Sequence, residues 1–188
     1  MYGRRLDPLL LMRSQKIHRH TVCLTLSALL AALSVVLLGL GSLFETLDLS
    51  MAALASFFCV YAVIEMRGGY PWMIWLVTTG LAFLLLSQKT PALFYLFLGH
   101  YPMIKALTER LPRAISWVIK LVWLHLSGVL IFLGARFLLA PNAEWDSRIW
   151  YWVFLYLGAV VAFVLFDLAL TRIITFYLVR LQKRIGIK

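Results

Sequence analysis

Six apolar stretches run through the sequence, separated only by short segments that carry charges, glycine or proline. A helix of about 20 apolar residues crosses the hydrocarbon core of a bilayer, and the second to fourth stretches are near the lower limit of that length. Because lipid offers no partner for free backbone groups, only helices or closed barrels span it, and these stretches lack the alternation of barrel strands. The sequence therefore predicts an all-α, polytopic integral membrane protein with six transmembrane helices in one bundle. The predicted helices cover approximately residues 21–43, 49–66, 70–87, 91–107, 115–140 and 149–179.

The composition excludes soluble and disordered classes of protein. Of the 188 residues, 63% are hydrophobic and 14% are charged, whereas an ordinary soluble domain is roughly 45–50% apolar and 25% charged. On a soluble protein, the net charge of +10 would indicate nucleic-acid binding. Here the basic residues are concentrated between the apolar stretches, so the charge needs another explanation.

Lysine and arginine are divided unequally between the two ends of the predicted helices. Fifteen lie at the end that carries both chain termini, and only Lys89, Arg136 and Arg148 lie at the other end. Basic residues concentrate on the cytoplasmic side of membrane proteins, so both termini are predicted to be cytoplasmic. The charge then divides into +11 inside and −1 outside, which indicates contact with anionic lipid headgroups rather than nucleic acid. The predicted segments are a basic cytoplasmic segment at 1–20, a transmembrane domain at 21–179 and a basic cytoplasmic tail at 180–188.

Ionisable side chains in or near the hydrocarbon region form the first group of candidate residues, since each costs about 2.5–3.5 kcal/mol at a helix centre. Lys120, Asp167 and Arg172 fall near the cytoplasmic ends of the fifth and sixth helices, close to Glu65 and Lys105. They are predicted to form an ion-pair belt that holds helix ends together. A proton or ion relay would use the same residue types, but it needs a polar chain across the whole bilayer. The intramembrane polar candidates are His100, Lys120, His125, Asp167 and Arg172.

The two intramembrane histidines have separate interpretations. His100 lies between Gly99 and Pro102, which disturb the helical hydrogen bonds around it. This pattern predicts either a kink that neighbouring helices satisfy or a polar site that lines a cavity. His125 is predicted to be a core histidine that bonds a neighbouring helix, with Ser127 and Gly128 permitting close approach.

Small residues in the first predicted helix form a candidate packing surface. Ala28 and Ala32 are four positions apart, Ser27 and Ala31 run beside them, and Ser34 extends the same pattern. Small residues let another helix backbone approach closely in lipid. The surface is predicted to serve either internal packing or the docking of a partner membrane protein.

The segments predicted to face outward carry acids, an amide and aromatic rings. They would form part of a pocket, in which aromatic residues are walls and polar groups orient a ligand. An aromatic belt at the membrane interface explains the same tryptophans and tyrosines, and the sequence does not separate the two interpretations. The candidate substrate-binding residues are Glu45, Asp48, Asn142, Glu144, Trp145, Asp146 and Trp152.

Signals of catalysis and of bound cofactors are missing from the sequence. No spacing of His, Cys or acidic residues resembles a metal motif, and no nucleophile elbow or phosphate-binding glycine loop is present. Cys23 and Cys59 fall inside apolar stretches and are predicted to be free thiols. The chain is therefore predicted not to be an enzyme and to hold neither a metal nor a cofactor.

The pattern resembles the substrate-binding S component of energy-coupling factor (ECF) vitamin transporters. Members of that family are small six-helix proteins with cytoplasmic termini, and their first helix carries an alanine-x-x-x-alanine motif. The motif stands here as Ala28-Leu29-Leu30-Ala31-Ala32. The segments Gly99–Lys105 and Phe166–Arg172 are similar to those of S-component-like bacterial membrane proteins.

This resemblance implies that the chain captures a vitamin or similar micronutrient at the outer face of the bacterial plasma membrane. It implies docking through Ala28 and Ala32 on a transmembrane coupling subunit that works with two ATPase subunits. The substrate would lie near the outer face, between the ends of helices 4 to 6 and the loops after helices 1, 3 and 5. The residues carry no signature of a particular substrate.

Two alternatives remain open at the level of sequence. A non-catalytic membrane scaffold or cell-envelope assembly protein shares the six-helix form and docks partners through small-residue surfaces, but it binds no small molecule. An ion-coupled transporter working alone would have inverted repeats and broken helices near the midplane, and only Gly99–Pro102 points that way.

Overall fold

The computed structural model describes residues 8–66, 68–134 and 149–181. Every regular element in these ranges is helical. A 3-10 turn at Glu45–Leu47 joins the first two helices, and a π-helical turn at Tyr177–Leu181 extends the last one. The α-helices are α1 Pro8–Leu43, α2 Asp48–Glu65, α3 Tyr70–Leu85, α4 Thr90–Leu98, α5 Tyr101–Thr108, α6 Arg113–Gly134 and α7 Ile149–Phe176.

Four helical segments are long and apolar enough to cross a membrane, which confirms the predicted all-α membrane fold. The α3 helix is also apolar but shorter, with 16 residues. The predicted orientation and the predicted number of six crossings stay predictions. The four segments are Ile17–Leu43, Asp48–Glu65, Arg113–Gly134 and Trp150–Arg180.

The first helix begins earlier than the sequence predicted. It starts at Pro8 instead of residue 21, so much of the predicted segment 1–20 is helical. The reason is local: residues 9–17 are mainly leucine, methionine, arginine, glutamine and lysine, which favour helix whether or not they lie in lipid. At the other terminus, helical structure continues to Leu181, just inside the predicted tail.

The fourth predicted helix, at 91–107, is two helices that break at Gly99 and His100. The N–H of Gly99 donates to the carbonyl of Tyr95 at 2.8 Å and closes the last turn of α4. A Cβ atom at Gly99 would lie only 2.8 Å from Tyr95 Cζ, so the close approach of this ring requires glycine. Pro102 is the second residue of α5, where a missing backbone N–H costs no helical hydrogen bond. The predicted helix at 91–107 is therefore divided at the position where the sequence predicted a kink.

The core of the bundle lies among α1, α2, α3 and α4. The α1 helix presents a buried face of Cys23, Ser27, Ala31, Ser34 and Leu38, which continues to Gly41. Because these residues are mostly small, α2 approaches closely: a Cβ atom at Gly41 would lie 3.1 Å from Met51 Cβ. In contrast, α6 and α7 expose most of their large apolar side chains.

Short connections make α1, α2, α3, the broken pair α4–α5, and α6 run in alternating directions, so the bundle has two distinguishable ends. We call the end where α2 and α5 finish, and α3 and α6 begin, the basic end. It carries the exposed residues Arg110 and Arg113, with Arg180 on the final turn. The end where α1 and α3 finish is the far end. The charge count predicts that the basic end is cytoplasmic and the far end is external.

Candidate functional site

A buried ion cluster centres on Asp167 of α7. Lys120 of α6 donates to Oδ1 and Oδ2 of Asp167 at 3.1 and 3.0 Å. Lys105 of α5 also donates to Oδ1. The exposed fractions are 1% for Lys105, 6% for Lys120 and 4% for Asp167. Three helices are thus joined through one carboxylate.

Neutral side chains complete the cluster. Tyr101 donates its hydroxyl hydrogen to Asp167 Oδ1 at 2.6 Å. Lys105 donates to Thr171 Oγ1 at 2.9 Å, and that hydroxyl donates to the backbone carbonyl of Asp167 at 2.8 Å. The roles of Tyr101 and Thr171 were not predicted from the sequence. Their spacing was the available signal, since each lies one helical turn from its charged neighbour and therefore on the same helix face.

The charges in this cluster balance only when Glu109 is included. Its Oε1 lies 3.3 Å from Lys105 Nζ, and its side chain is 48% exposed. Lys120 also lies over the ring of Trp117, with Nζ 5.4 Å from the centroid. A buried charge that loses its partner costs about 3–5 kcal/mol. The two lysines and Asp167 are therefore stable in this position only as a set.

The arrangement differs in extent from the predicted ion-pair belt. Lys120 and Asp167 meet, together with Lys105, but Arg172 is exposed and makes no ion pair with a residue that the structure describes. Glu65 belongs to a separate contact, in which it accepts a hydrogen bond from Tyr177 at 2.9 Å. The predicted belt is thus divided into a compact cluster around Asp167 and a separate contact at Glu65.

His100 lies at the break between α4 and α5, surrounded by three tryptophan rings. Its ring centroid is 4.8 Å from Trp72, 5.0 Å from Trp75 and 4.9 Å from Trp123. The Nε1–H of Trp75 donates to the carbonyl of Leu96 at 2.9 Å. This carbonyl lies in the last turn of α4, so a side chain of α3 provides its hydrogen bond at the break. His100 Nε2 is buried and makes no hydrogen bond with a described residue. The break, supported by the hydrogen bond from Trp75, agrees with the first interpretation of this segment, whereas a polar site that lines a cavity stays a prediction.

Two buried hydroxyls lie on the same helix faces as these tryptophans. Thr79 follows Trp75 by one turn of α3, and Ser127 follows Trp123 by one turn of α6. Thr79 is 8% exposed and Ser127 is 7% exposed. Neither hydroxyl oxygen has a hydrogen-bond partner in the described part of the chain. Because α3 and α6 both run toward the far end, the two hydroxyls lie on the far side of His100.

His125 connects α6 with α7. Its Nδ1 lies 2.7 Å from the carbonyl of Leu121, which only accepts, so Nδ1 carries the proton. Nε2 then accepts a hydrogen bond from Tyr156 at 2.7 Å. The side chain is exposed, so it is not the core histidine that the sequence predicted. A Cβ atom at Gly128 would meet nothing within 4 Å, so this glycine does not provide the predicted close approach.

The predicted docking residues of helix 1 fall on two different faces. Ser27 and Ala31 are buried within the bundle, where Ser27 Oγ lies 3.4 Å from Met66 Sδ. Ala28 and Ala32 are exposed on the adjacent face. The predicted set of four is therefore corrected to two residues that are accessible and two that pack inside the bundle. The 100° turn between successive helix residues separates them.

The candidate substrate residues near the far end are described only in part. Asp48 is buried in the first turn of α2, where a carboxylate is stabilised by the helix dipole. Trp152 packs edge-on against Phe132 and Tyr151, at centroid distances of 5.3 and 5.6 Å. The backbone of Glu45 lies in the 3-10 turn. Asn142, Glu144, Trp145 and Asp146 lie outside the described residues.

In the described ranges, no three His, Cys, Asp or Glu side chains are grouped in a way that could hold a metal ion. Comparison of the chain with models of protein families, with characterised proteins and with solved structures finds no match.

Proposed function

We propose that this chain is the substrate-capture subunit of an ECF-type importer in the bacterial plasma membrane. It takes up a vitamin or similar micronutrient from outside and docks on a transmembrane coupling subunit through α1. The observation that carries the proposal is the exposed pair Ala28 and Ala32 on a helix whose adjacent face is buried.

The geometry of α1 suits a docking helix. Ala28 and Ala32 are separated by one turn, and the exposed Leu24, Leu29 and Val36 surround them. Two alanines flanked by larger side chains leave a shallow depression, into which a second helix can pack closely in lipid. The buried face of α1 keeps the helix in the bundle while the exposed face engages the partner.

Substrate capture is assigned to the buried polar groups around His100. The ring nitrogen of His100 and the hydroxyls of Thr79 and Ser127 supply hydrogen-bonding atoms that no described residue uses. Trp72 and Trp123 supply flat aromatic faces, on which a planar ring stacks favourably. These groups are uncharged, so the proposed substrate is a small, uncharged or weakly polar ring compound that enters from the far end.

Replacement of the two alanines tests the docking role. The full chain would be co-expressed with the coupling subunit and the two ATPases of the same cell, and the complex isolated by size exclusion. Ala28→Trp with Ala32→Trp should abolish complex formation, because the bulky rings fill the depression. Ala159→Trp with Ala162→Trp is the matched control, because both residues are exposed on α7. An intact complex with the α1 variant would contradict the assignment.

A membrane scaffold is the second candidate function. The observation in its favour is the surface of α6 and α7, which exposes large apolar residues along nearly its whole length. Mass spectrometry of the gently purified chain separates the candidates. A capture subunit should carry a metabolite that is lost in the double variant Thr79→Val with Ser127→Ala, whereas a scaffold should carry none.

A further inference from the structure

A cavity of about 310 Å³ lies between α2, α5 and α7, on the side of the ion cluster nearer the basic end. Seven of its nine lining residues are apolar or proline, and only Lys105 and Glu109 are charged. Its volume falls in the range of small-molecule sites, roughly 300–1,000 Å³. The apolar walls are Val60, Val63, Ile64, Pro102, Ala106, Ile174 and Leu178.

The polar end of this cavity is the pair of Lys105 and Glu109. Lys105 has three N–H donors but four acceptor oxygens within 3.3 Å: two from Asp167, one from Thr171 and one from Glu109. Glu109 is exposed, with 48% of its side chain accessible, whereas Asp167 is buried. An anionic group entering the cavity can therefore take the place of Glu109 without disturbing Asp167.

The surroundings of the cavity also favour an anion. Arg110 and Arg113 follow Glu109 closely and are exposed, and Arg180 lies two residues after Leu178. The same end of the bundle carries the basic excess that predicts the cytoplasmic side. The inner leaflet of a membrane carries the anionic lipids, and basic pockets between helices on that side bind their headgroups.

We propose that this cavity is a binding site for an anionic phospholipid. Its phosphate replaces Glu109 at the ammonium group of Lys105, and an acyl chain lies along the apolar side chains of α2 and α7. The site is separate from the buried polar groups around His100 to which substrate capture is assigned, and it does not depend on the proposed transport function. The bound lipid would connect α5 with α7 at the basic end.

Native mass spectrometry of the full chain in detergent tests the proposal, with phosphatidylglycerol, phosphatidylcholine and inorganic phosphate as separate probes. Phosphatidylglycerol should bind at least about tenfold more tightly than phosphatidylcholine, because both carry the phosphate but the cationic choline group of phosphatidylcholine is repelled by the basic residues at this end of the bundle. Ala106→Trp, which fills the cavity, should remove this preference. Ala169→Trp on the exposed surface of α7 is the matched control and should retain it.

A second variant keeps the test decisive if Ala106→Trp does not fold. Glu109→Gln removes the competing carboxylate at a half-exposed position, so it should strengthen phosphatidylglycerol binding several-fold. The proposal is overturned if the two lipids bind equally, or if Glu109→Gln leaves binding unchanged. Inorganic phosphate at millimolar concentration is the competitor. If it removes the preference for phosphatidylglycerol, the cavity is a site for free anions, and the lipid assignment is overturned.

Discussion

Lys120 donates to both carboxylate oxygens of Asp167, at 3.1 and 3.0 Å, although the two residues lie on different helices. Lys105 of a third helix donates to the same carboxylate. Among the contacts that the structure describes, this is a point where α5, α6 and α7 are tied by charge. The packing of α6 and α7 on the rest of the bundle is otherwise sparse, so their position depends strongly on this carboxylate.

Asp167→Asn should lower the free energy of unfolding by about 3–5 kcal/mol, because it leaves two buried ammonium groups without their shared anion. Chemical unfolding in detergent, followed by circular dichroism, measures the change. Adding Lys120→Met should recover part of the loss, since it removes one unpaired charge. Arg172→Gln, at an exposed position of the same helix, should stay within about 0.5 kcal/mol of the unchanged chain. Equal effects of Asp167→Asn and Arg172→Gln would contradict the structural role of the cluster.

Gly99→Ala should destabilise the chain by about 1–3 kcal/mol, because the added Cβ would lie 2.8 Å from the ring of Tyr95 and force it to move. The fluorescence of the tryptophans around His100 should change as well. Gly80→Ala is the control: its Cβ would meet nothing within 4 Å, and alanine favours helix by about 1 kcal/mol over glycine. If Gly99→Ala leaves the stability of the chain unchanged, the break does not need glycine.

The two faces of α1 should respond differently to the same substitution. Ala31→Leu should destabilise the isolated chain by about 1–3 kcal/mol, because Ala31 is 3% exposed and packs tightly inside the bundle. Ala28→Leu, on the exposed face, should leave its unfolding unchanged. Thermal unfolding in detergent compares the two. Similar melting temperatures would mean that the two residues do not lie on separate faces.

Thr79→Val and Ser127→Ala should leave the isolated chain equally stable or stabilise it by about 1 kcal/mol each. Both hydroxyls are buried, and no described residue bonds them, so their removal eliminates a desolvation cost without breaking a contact. The same variants should reduce the amount of co-purified metabolite if these hydroxyls contact substrate. A clear loss of stability would instead indicate that they hold the bundle together.

The sequence was sufficient to predict the class of fold, because the length of apolar stretches and the lack of alternation depend only on composition along the chain. The sequence also predicted that Lys120, Asp167 and Lys105 lie in one region, since all three are near the predicted cytoplasmic ends of their helices. It did not predict that Arg172 lies outside the cluster. Arg172 follows Asp167 by five positions and therefore lies about 140° away around the helix, and which of these two sides meets α5 and α6 depends on how α7 is rotated. In the same way, the sequence does not show which face of α1 meets α2. It therefore could not predict that Ser27 is buried and that Ala28 is exposed.

The break at Gly99 and His100 has a consequence for how the chain enters the membrane during synthesis. The helices α3, α4 and α5 have 16, 9 and 8 residues, and each is shorter than the about 20 residues of a full crossing. None of them is expected to insert stably by itself. The α1 and α2 hairpin is long enough to insert first and to offer a packed surface, on which the three short helices can assemble. Truncation of α1 should therefore impair the insertion of segments far along the chain.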